Sequence, residues 1–135
     1  MSQDNVDLVL RIHRAVIHGD LEALLARVHP EAEYRAATQQ AIEGEGSVFR
    51  GHDGVRRWFR ELHDLYEGLD SEILEVRDLE DRVVVVFLVR GRGTGSGVTI
   101  EQSLAQVVTL RDGKVIEICE YFGRQAALEA VGLSE

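Results

Sequence analysis

One acidic residue stands out among those whose type and position could perform chemistry. Glu120 lies in a predicted strand over residues 115–122, on the same face as Ile116, Ile118 and Phe122. Burying a lone carboxylate in such apolar surroundings is costly unless it is protonated or paired. Desolvation would raise its pKa toward neutrality, which suits a general acid or base. In the simplest alternative, Glu120 lies at an open rim and is merely hydrated.

Arg90 is the candidate partner of Glu120, from a predicted strand over residues 83–92. If its guanidinium neutralises the carboxylate, the pair is either structural or holds a polar group of a ligand. If the two act separately, Arg90 or Tyr34 would stabilise charge that develops on a substrate. We therefore predict catalytic roles for Glu120 and Arg90.

Other reactive residue types give weaker patterns. Cys119 is a poor nucleophile, because a neighbouring carboxylate raises a thiol pKa. The glycine-rich stretch 91–97 lacks the lysine and the following helix of a phosphate-binding loop, which favours a hairpin connection. The histidines are predicted on helices or at helix ends, and His13 and His18 are five residues apart, which is not a same-face pair. Neither a metal nor another cofactor is expected.

Composition limits the class of protein and its partners. The 135 residues are predicted to form one domain over 1–135, and the net charge of -9 repels nucleic acid and anionic lipid. The sequence shows no signal peptide and no apolar run long enough to span a membrane. A single cysteine fits a reducing compartment. We expect a soluble, cytoplasmic protein.

The elements that must position these residues form an α+β pattern. Helical apolar spacing predicts a first helix ending at His18-Gly19, a second from Asp20 to Pro30, and a third between Asp53 and Gly68. Strands are predicted over 31–37, 71–79, 83–92, 98–110 and 115–122, with a polar loop at Gly44 and Gly46 and a closing helix over 125–131. Helices grouped ahead of a mostly antiparallel sheet indicate α+β rather than a parallel fold.

Distributed motifs resemble the nuclear transport factor 2-like superfamily, and within it the SnoaL-like group. They are residues 18–24 (HGDLEAL), 29–30 (HP), 49–51 (FRG), 55–59 (VRRWF), 110–115 (LRDGKV) and 127–133 (ALEAVGL). The resemblance implies a cone, a cystatin-like α+β roll in which a bent sheet wraps three N-terminal helices and leaves a pocket at its wide end. The superfamily contains polyketide cyclases and other enzymes beside non-catalytic binding and dimerisation modules.

The catalytic sets of three superfamily enzymes are missing here. Registering the sequence on ketosteroid isomerase places its catalytic positions near Ile12, Ala36 and Ala105, none of which can carry a proton. No strand carries the inward histidines of scytalone dehydratase. Arg90 has no aspartate beside it on its strand, unlike the arginine of limonene epoxide hydrolase.

The same registration predicts which residues line the pocket. Its closed end would be formed by Ile12, Trp58, Val86, Ala105 and Ile118, with polarity confined to Glu120, Arg90, Tyr34, Glu101 and Ser103. The full predicted lining of the substrate pocket is Ile12, Val16, Tyr34, Trp58, Phe59, Val86, Leu88, Glu101, Ser103, Ala105, Val107, Ile118 and Phe122. A mostly apolar chamber of this kind suits a small apolar organic molecule.

The predicted strand over 83–92 is apolar on both faces. With helices on the concave side alone, the outer face would need a cover, to which Leu104, Gln106 and Val108 would contribute. A homodimer through the convex sheet face is the expected cover. Two functions remain open: an isomerase-, cyclase- or dehydratase-type enzyme using Glu120, and a non-catalytic ligand-binding or dimerisation module.

Overall fold

A computed structural model describes residues 2–37 and 48–134. The helices of these residues are α1 (Ser2–His18), α2 (Leu21–Ala26), α3 (Gly51–Leu65) and α4 (Arg124–Ala130). Their strands are β1 (Val28–Arg35), β2 (Phe49–Arg50), β3 (Tyr66–Asp78), β4 (Arg82–Gly93), β5 (Thr99–Arg111) and β6 (Lys114–Tyr121). The predicted polar loop at Gly44 and Gly46 lies outside the described residues.

The strands form one curled, open sheet in the order β2-β1-β6-β5-β4-β3. Neighbouring strands are antiparallel except for β1 and β6, which run parallel. Helices α1, α2 and α3 pack on the concave face, and α4 packs on the convex face. The predicted α+β class and cone-like roll are confirmed.

The N-terminal helices form where the apolar spacing predicts them. Val9, Ile12 and Ala15 of α1 lie on one buried face, and the helix ends before Gly19, whose φ of 77° suits glycine. Asp20 caps α2 by accepting a hydrogen bond from the Ala23 N–H at 3.1 Å. Residues on the inner side of these helices therefore meet the sheet.

The sequence predicted that Pro30 ends the second helix, and this prediction is wrong. Pro30 lies within β1. Helix α2 ends at Ala26, and the pairing of β1 with β6 is interrupted between Val28 and Glu33. Proline has no N–H to donate to a regular ladder, but it is tolerated there because the ladder is interrupted. The other predicted elements differ from those observed by a few residues at their ends, apart from β3, which begins directly after α3.

A β-bulge sets the register in which β5 and β6 pair. Leu110 pairs with Val115, but the next residue of β5, Thr109, pairs with Glu117. Ile116 is therefore an extra residue on β6. Beyond it, Glu120 pairs with Gln106, so these two side chains share a face.

The predicted inward and outward faces of β4 and β5 are wrong, because the bulge was not predicted. Without it, the Asp112-Gly113 turn would pair Glu120 with Ala105 and put Val84, Val86 and Leu88 on the concave face. The observed register turns β4 and β5 over relative to β6. The concave core instead receives Val83, Val85, Phe87, Leu104 and Val108, with Gln106 beside them.

The convex face is partly covered by the chain itself. Ala127 and Leu128 of α4 have no exposed surface and pack on an outer cluster of small apolar residues, namely Val84, Val86, Ala105 and Val107. The expectation that helices cover the concave side alone was therefore wrong. Leu104, Gln106 and Val108 do not extend the convex patch, because they lie on the concave side.

Candidate functional site

A cavity of about 620 Å³ lies between the concave face of the sheet and helices α1 and α3. Its inner wall contains fully buried residues of the core, such as Leu24, Val28 and Val115. Leu65 and Phe122 also border it, yet they are 59% and 51% exposed. The cavity is thus closed by core residues at one end and opens between exposed apolar side chains at the other.

Glu120 projects into this cavity from β6 and is 8% exposed. Its Oε2 accepts hydrogen bonds from the Tyr34 hydroxyl at 3.1 Å and from Gln106 Nε2 at 2.8 Å. Its Oε1 accepts one from the backbone N–H of Ala37 at 3.2 Å. Strand β1, the residue Ala37 that follows it and strand β5 therefore bring donors to the carboxyl group that β6 supplies.

Burial raises the pKa of Glu120, because desolvation penalises the charged form. The three donors from Gln106, Ala37 and Tyr34 oppose that rise, since they stabilise the carboxylate. Burial prevails over the hydrogen bonds. The result is a carboxyl group that can hold or release a proton nearer to neutral pH than an exposed glutamate can.

Tyr34 is fixed mainly by aromatic contacts. It is 3% exposed, and the Trp58 ring of α3 meets it edge-on with 4.5 Å between centroids. Phe49 of β2 lies on another side at 6.2 Å. Burial, followed by the nearby Glu120 carboxylate, raises the pKa of Tyr34 well above its usual value. The phenol therefore keeps its proton and donates a hydrogen bond to Glu120, so its role in this geometry is to orient the carboxyl group.

His13 is a further polar side chain of the cavity wall. Its Nε2 lies 2.7 Å from the Ser71 hydroxyl of β3, and its ring meets Phe87 edge-on at 4.6 Å. Burial lowers the pKa of His13 to about 4, so the imidazole is neutral at pH 7.

Gln106 and His13 were not predicted as site residues. His13 follows Val9 by four residues and precedes Val16 by three, a spacing that places all three on one face of a helix. That spacing could have identified His13. Gln106 carried no such local signal, because its face depends on the bulge.

Several of the predicted pocket residues lie around the cavity. These are Ile12, Val16, Tyr34, Trp58, Glu101, Ile118, Glu120 and Phe122. Phe59 is instead packed in the core. Glu101 lies at the rim, where its carboxylate accepts a hydrogen bond from Arg90 rather than from a group inside the cavity.

The remaining predicted pocket residues lie on the convex face. The bulge turns Val86, Leu88, Ser103, Ala105 and Val107 away from the cavity. Val86, Ala105 and Val107 pack beneath α4 instead. The predicted closed end of the pocket therefore keeps Ile12, Trp58 and Ile118 and loses Val86 and Ala105.

Arg90 does not reach Glu120, contrary to the predicted pairing. It lies on the convex face, where its Nε donates to Glu101 at 2.9 Å. Glu72 and Asp70 of β3 lie 3.4 and 3.7 Å from its other nitrogens. This half-exposed network is a surface feature, and Arg90 takes no part in the polar cluster of the cavity.

Across residues 2–37 and 48–134, His, Cys, Asp and Glu side chains form no group of three that could hold a metal ion. The helices in those ranges are all too short or too polar to cross a membrane.

Comparisons with known proteins agree with the observed fold. The family model of the SnoaL-like domain matches residues 9–118. An uncharacterised protein of Mycobacterium tuberculosis (strain ATCC 25618 / H37Rv) is 28% identical over 128 residues, covering 93% of this chain and 94% of that protein.

Solved structures share the fold over most of both chains. A nuclear transport factor 2-like protein from Burkholderia xenovorans LB400 has a TM-score of 0.75 and 27% identity, covering 96% of this chain and 97% of that one. TerC, co-crystallised with polyporic acid, has a TM-score of 0.75 and 24% identity, covering 93% and 96%.

Proposed function

Because the chain belongs to the SnoaL-like domain family, we propose that its cavity binds a small, mostly apolar organic molecule and that Glu120 exchanges a proton with it. The observation that carries the proposal is the burial of Glu120 in the cavity wall, with a raised pKa and defined donors. TerC, of the same fold, was co-crystallised with a small organic molecule.

Glu120 has the features of a residue that removes and returns a proton. As a carboxylate it would accept a proton from an acidic C–H or O–H of the ligand, and as a carboxylic acid it would return that proton at another atom. Tyr34 and Gln106 hold the oxygen that lies nearest to them. The reaction would be an isomerisation, cyclisation or dehydration, which needs no group beyond a proton donor and acceptor.

Binding can be tested with 2-naphthol, a fluorescent probe with one polar group. We expect saturable binding to the wild type. Ile118→Trp should abolish binding because it fills the cavity from β6, whereas Leu74→Trp is the matched control at a 52% exposed residue outside the cavity wall. Equal binding by the two variants would contradict the proposed binding place.

Proton exchange can be tested with 2-tetralone, a bicyclic ketone with acidic C–H bonds. In D₂O, NMR should show faster deuterium uptake with the wild type than with Glu120→Gln. The Glu120 pKa, measured by ¹³C NMR titration, should exceed its ordinary value of 4.5. A Glu120 that titrates at its ordinary value would refute its role as acid and base.

A non-catalytic binding module is the second candidate. It is favoured by the donors that already hold both oxygens of Glu120, since a satisfied carboxyl group can serve structure alone. Binding of 2-naphthol without any acceleration of 2-tetralone exchange would support this alternative.

We also propose a homodimer through the convex sheet face and a cytoplasmic location. Leu88 of the convex face is half-buried and lies outside the cluster that α4 covers, so it could form the apolar centre of a dimer interface. Arg90 and its acidic partners would form the polar rim of that interface. Light scattering should then give a dimer that Leu88→Arg dissociates, and a wild-type monomer at micromolar concentration would overturn it. Free Cys119 supports a reducing location.

A further inference from the structure

His13 contributes a polar group to the cavity that the proposed reaction does not use. It belongs to α1, and Ser71 of β3 holds its Nε2 at 2.7 Å. The ring also rests against Phe87 of β4. Contacts with two strands fix the orientation of the imidazole, so any group it presents to the cavity is presented in a defined direction.

The second ring nitrogen of His13 is open. Within residues 2–37 and 48–134 the side chain makes no hydrogen bond besides the one to Ser71. In the same part of the chain, every side-chain nitrogen or oxygen that is enclosed, meaning buried from solvent, has a hydrogen-bond partner. Nδ1 is therefore not enclosed, and the side chain borders the cavity.

His13 and Glu120 lie on different walls of the cavity. The His13 ring packs on Phe87 of β4, whereas Glu120 belongs to β6, with β5 between them. Two strand spacings separate these strands, or about 10 Å. The wall between them is mostly apolar and includes Leu104 and Val108. A ligand that contacts both polar groups must therefore be elongated.

We infer that His13 is a second recognition point of the cavity and selects elongated apolar molecules that carry a hydroxyl group at each end. This inference rests on the proposed binding function. A hydroxyl both donates and accepts a hydrogen bond, so it suits Nδ1 in either tautomer of the neutral ring. A neutral imidazole offers no charge to a carboxylate or phosphate, and Glu120 disfavours an anion at the other end.

The test compares 2-naphthol with 2,6-dihydroxynaphthalene, which carries a hydroxyl group at each end. One added hydrogen bond should make the wild type bind the diol about three- to tenfold more tightly. His13→Phe keeps an aromatic ring beside Phe87 but cannot form that bond, so its preference should fall to about onefold. His18→Phe, on the exposed end of the same helix, is the matched control and should keep the preference.

Nitrogen NMR of the wild type gives a second measurement that does not depend on a variant. The ¹⁵N shift of His13 Nδ1 should change on addition of the diol and stay nearly constant with 2-naphthol bound at Glu120. Equal preferences in the wild type and His13→Phe, or an unchanged shift at saturation, would overturn the role of His13 alone. Failure of both probes to bind the wild type would overturn the binding function and this inference with it.

Discussion

Replacing Tyr34 with phenylalanine tests whether the polar cluster holds a charged carboxylate. The ring keeps its volume and its edge-on contact with Trp58, so packing changes little. What is lost is the O–H group that donates to Glu120 at 3.1 Å. Gln106 and the Ala37 N–H continue to donate to the same carboxyl group. The substitution thus removes the hydrogen bond from Tyr34 to Glu120 at a buried site.

The cost of Tyr34→Phe should depend on pH. A hydrogen bond to a charged group contributes about 1.5–3 kcal/mol, and one between neutral groups about 0.5–1.5 kcal/mol. Glu120 is protonated at pH 4, because burial raises its pKa above 4.5. At a pH above its raised pKa it is a carboxylate. The loss of unfolding free energy should therefore be about 1 kcal/mol greater at high pH than at pH 4. Losing the donor should also raise the pKa of Glu120 further.

Urea unfolding near pH 4 and at a pH above the Glu120 pKa measured by NMR determines this difference. Tyr66→Phe is the matched control, since the Tyr66 hydroxyl makes no hydrogen bond with the rest of the described chain and Tyr66 also borders the cavity. The control should lose little stability at either pH. A pH-independent cost for Tyr34→Phe, with an unchanged Glu120 pKa, would refute the idea that the phenol stabilises the charged carboxyl group.

Three further outcomes follow from the same geometry. In an unfolding series from pH 4 to 8, Glu120→Gln should gain stability relative to the wild type as pH rises. The carboxyl group of Glu120 has a higher pKa in the folded than in the unfolded wild type, so the unfolded chain loses its proton first and the wild type is destabilised. Parallel stability profiles of the two proteins would show that Glu120 is not desolvated. Leu128→Ala should lower the free energy of unfolding by about 2–5 kcal/mol by opening a void beneath α4, and a loss under 1 kcal/mol in urea denaturation would contradict that packing. Arg90→Ala should leave 2-naphthol affinity unchanged, because its ion pairs lie outside the cavity; a tenfold loss in a fluorescence titration would show that it reaches the ligand.

Sequence patterns predicted most helices and strands, because apolar spacing and turn residues within a short segment determine these elements. The apolar stripe of α3 follows helical spacing, and Asp112 and Gly113 adopt the positive φ values, 53° and 75°, that a two-residue hairpin turn requires. Pro30 shows the limit of this reasoning. A proline stops a helix but is also tolerated in an irregular strand, and only the pairing of β1 with β6 distinguishes the two.

Two polar residues beside the cavity, His13 and Gln106, were not predicted as site residues, for different reasons. His13 had a local signal in its spacing from Val9 and Val16, but histidines were considered only as metal ligands and as the strand histidines of scytalone dehydratase. Gln106 had none, since it faces Glu120 only if β5 and β6 pair in the observed register. Partners from distant segments depend on tertiary pairing, which propensity and periodicity do not encode.

The register error also shows why Glu120 was found and its partner was not. The extra residue Ile116 precedes Glu120 on β6 and leaves it facing inward, while every residue of β4 and β5 changes face. The predicted inner face then contained Arg90 and Glu101, two charged residues that suit solvent better than an apolar chamber. A register that leaves those charges outside moves Gln106 inside, where a neutral amide stabilises a buried carboxylate at a lower desolvation cost than a guanidinium. The charges of β4 and β5 thus carried the information that the turn alone did not.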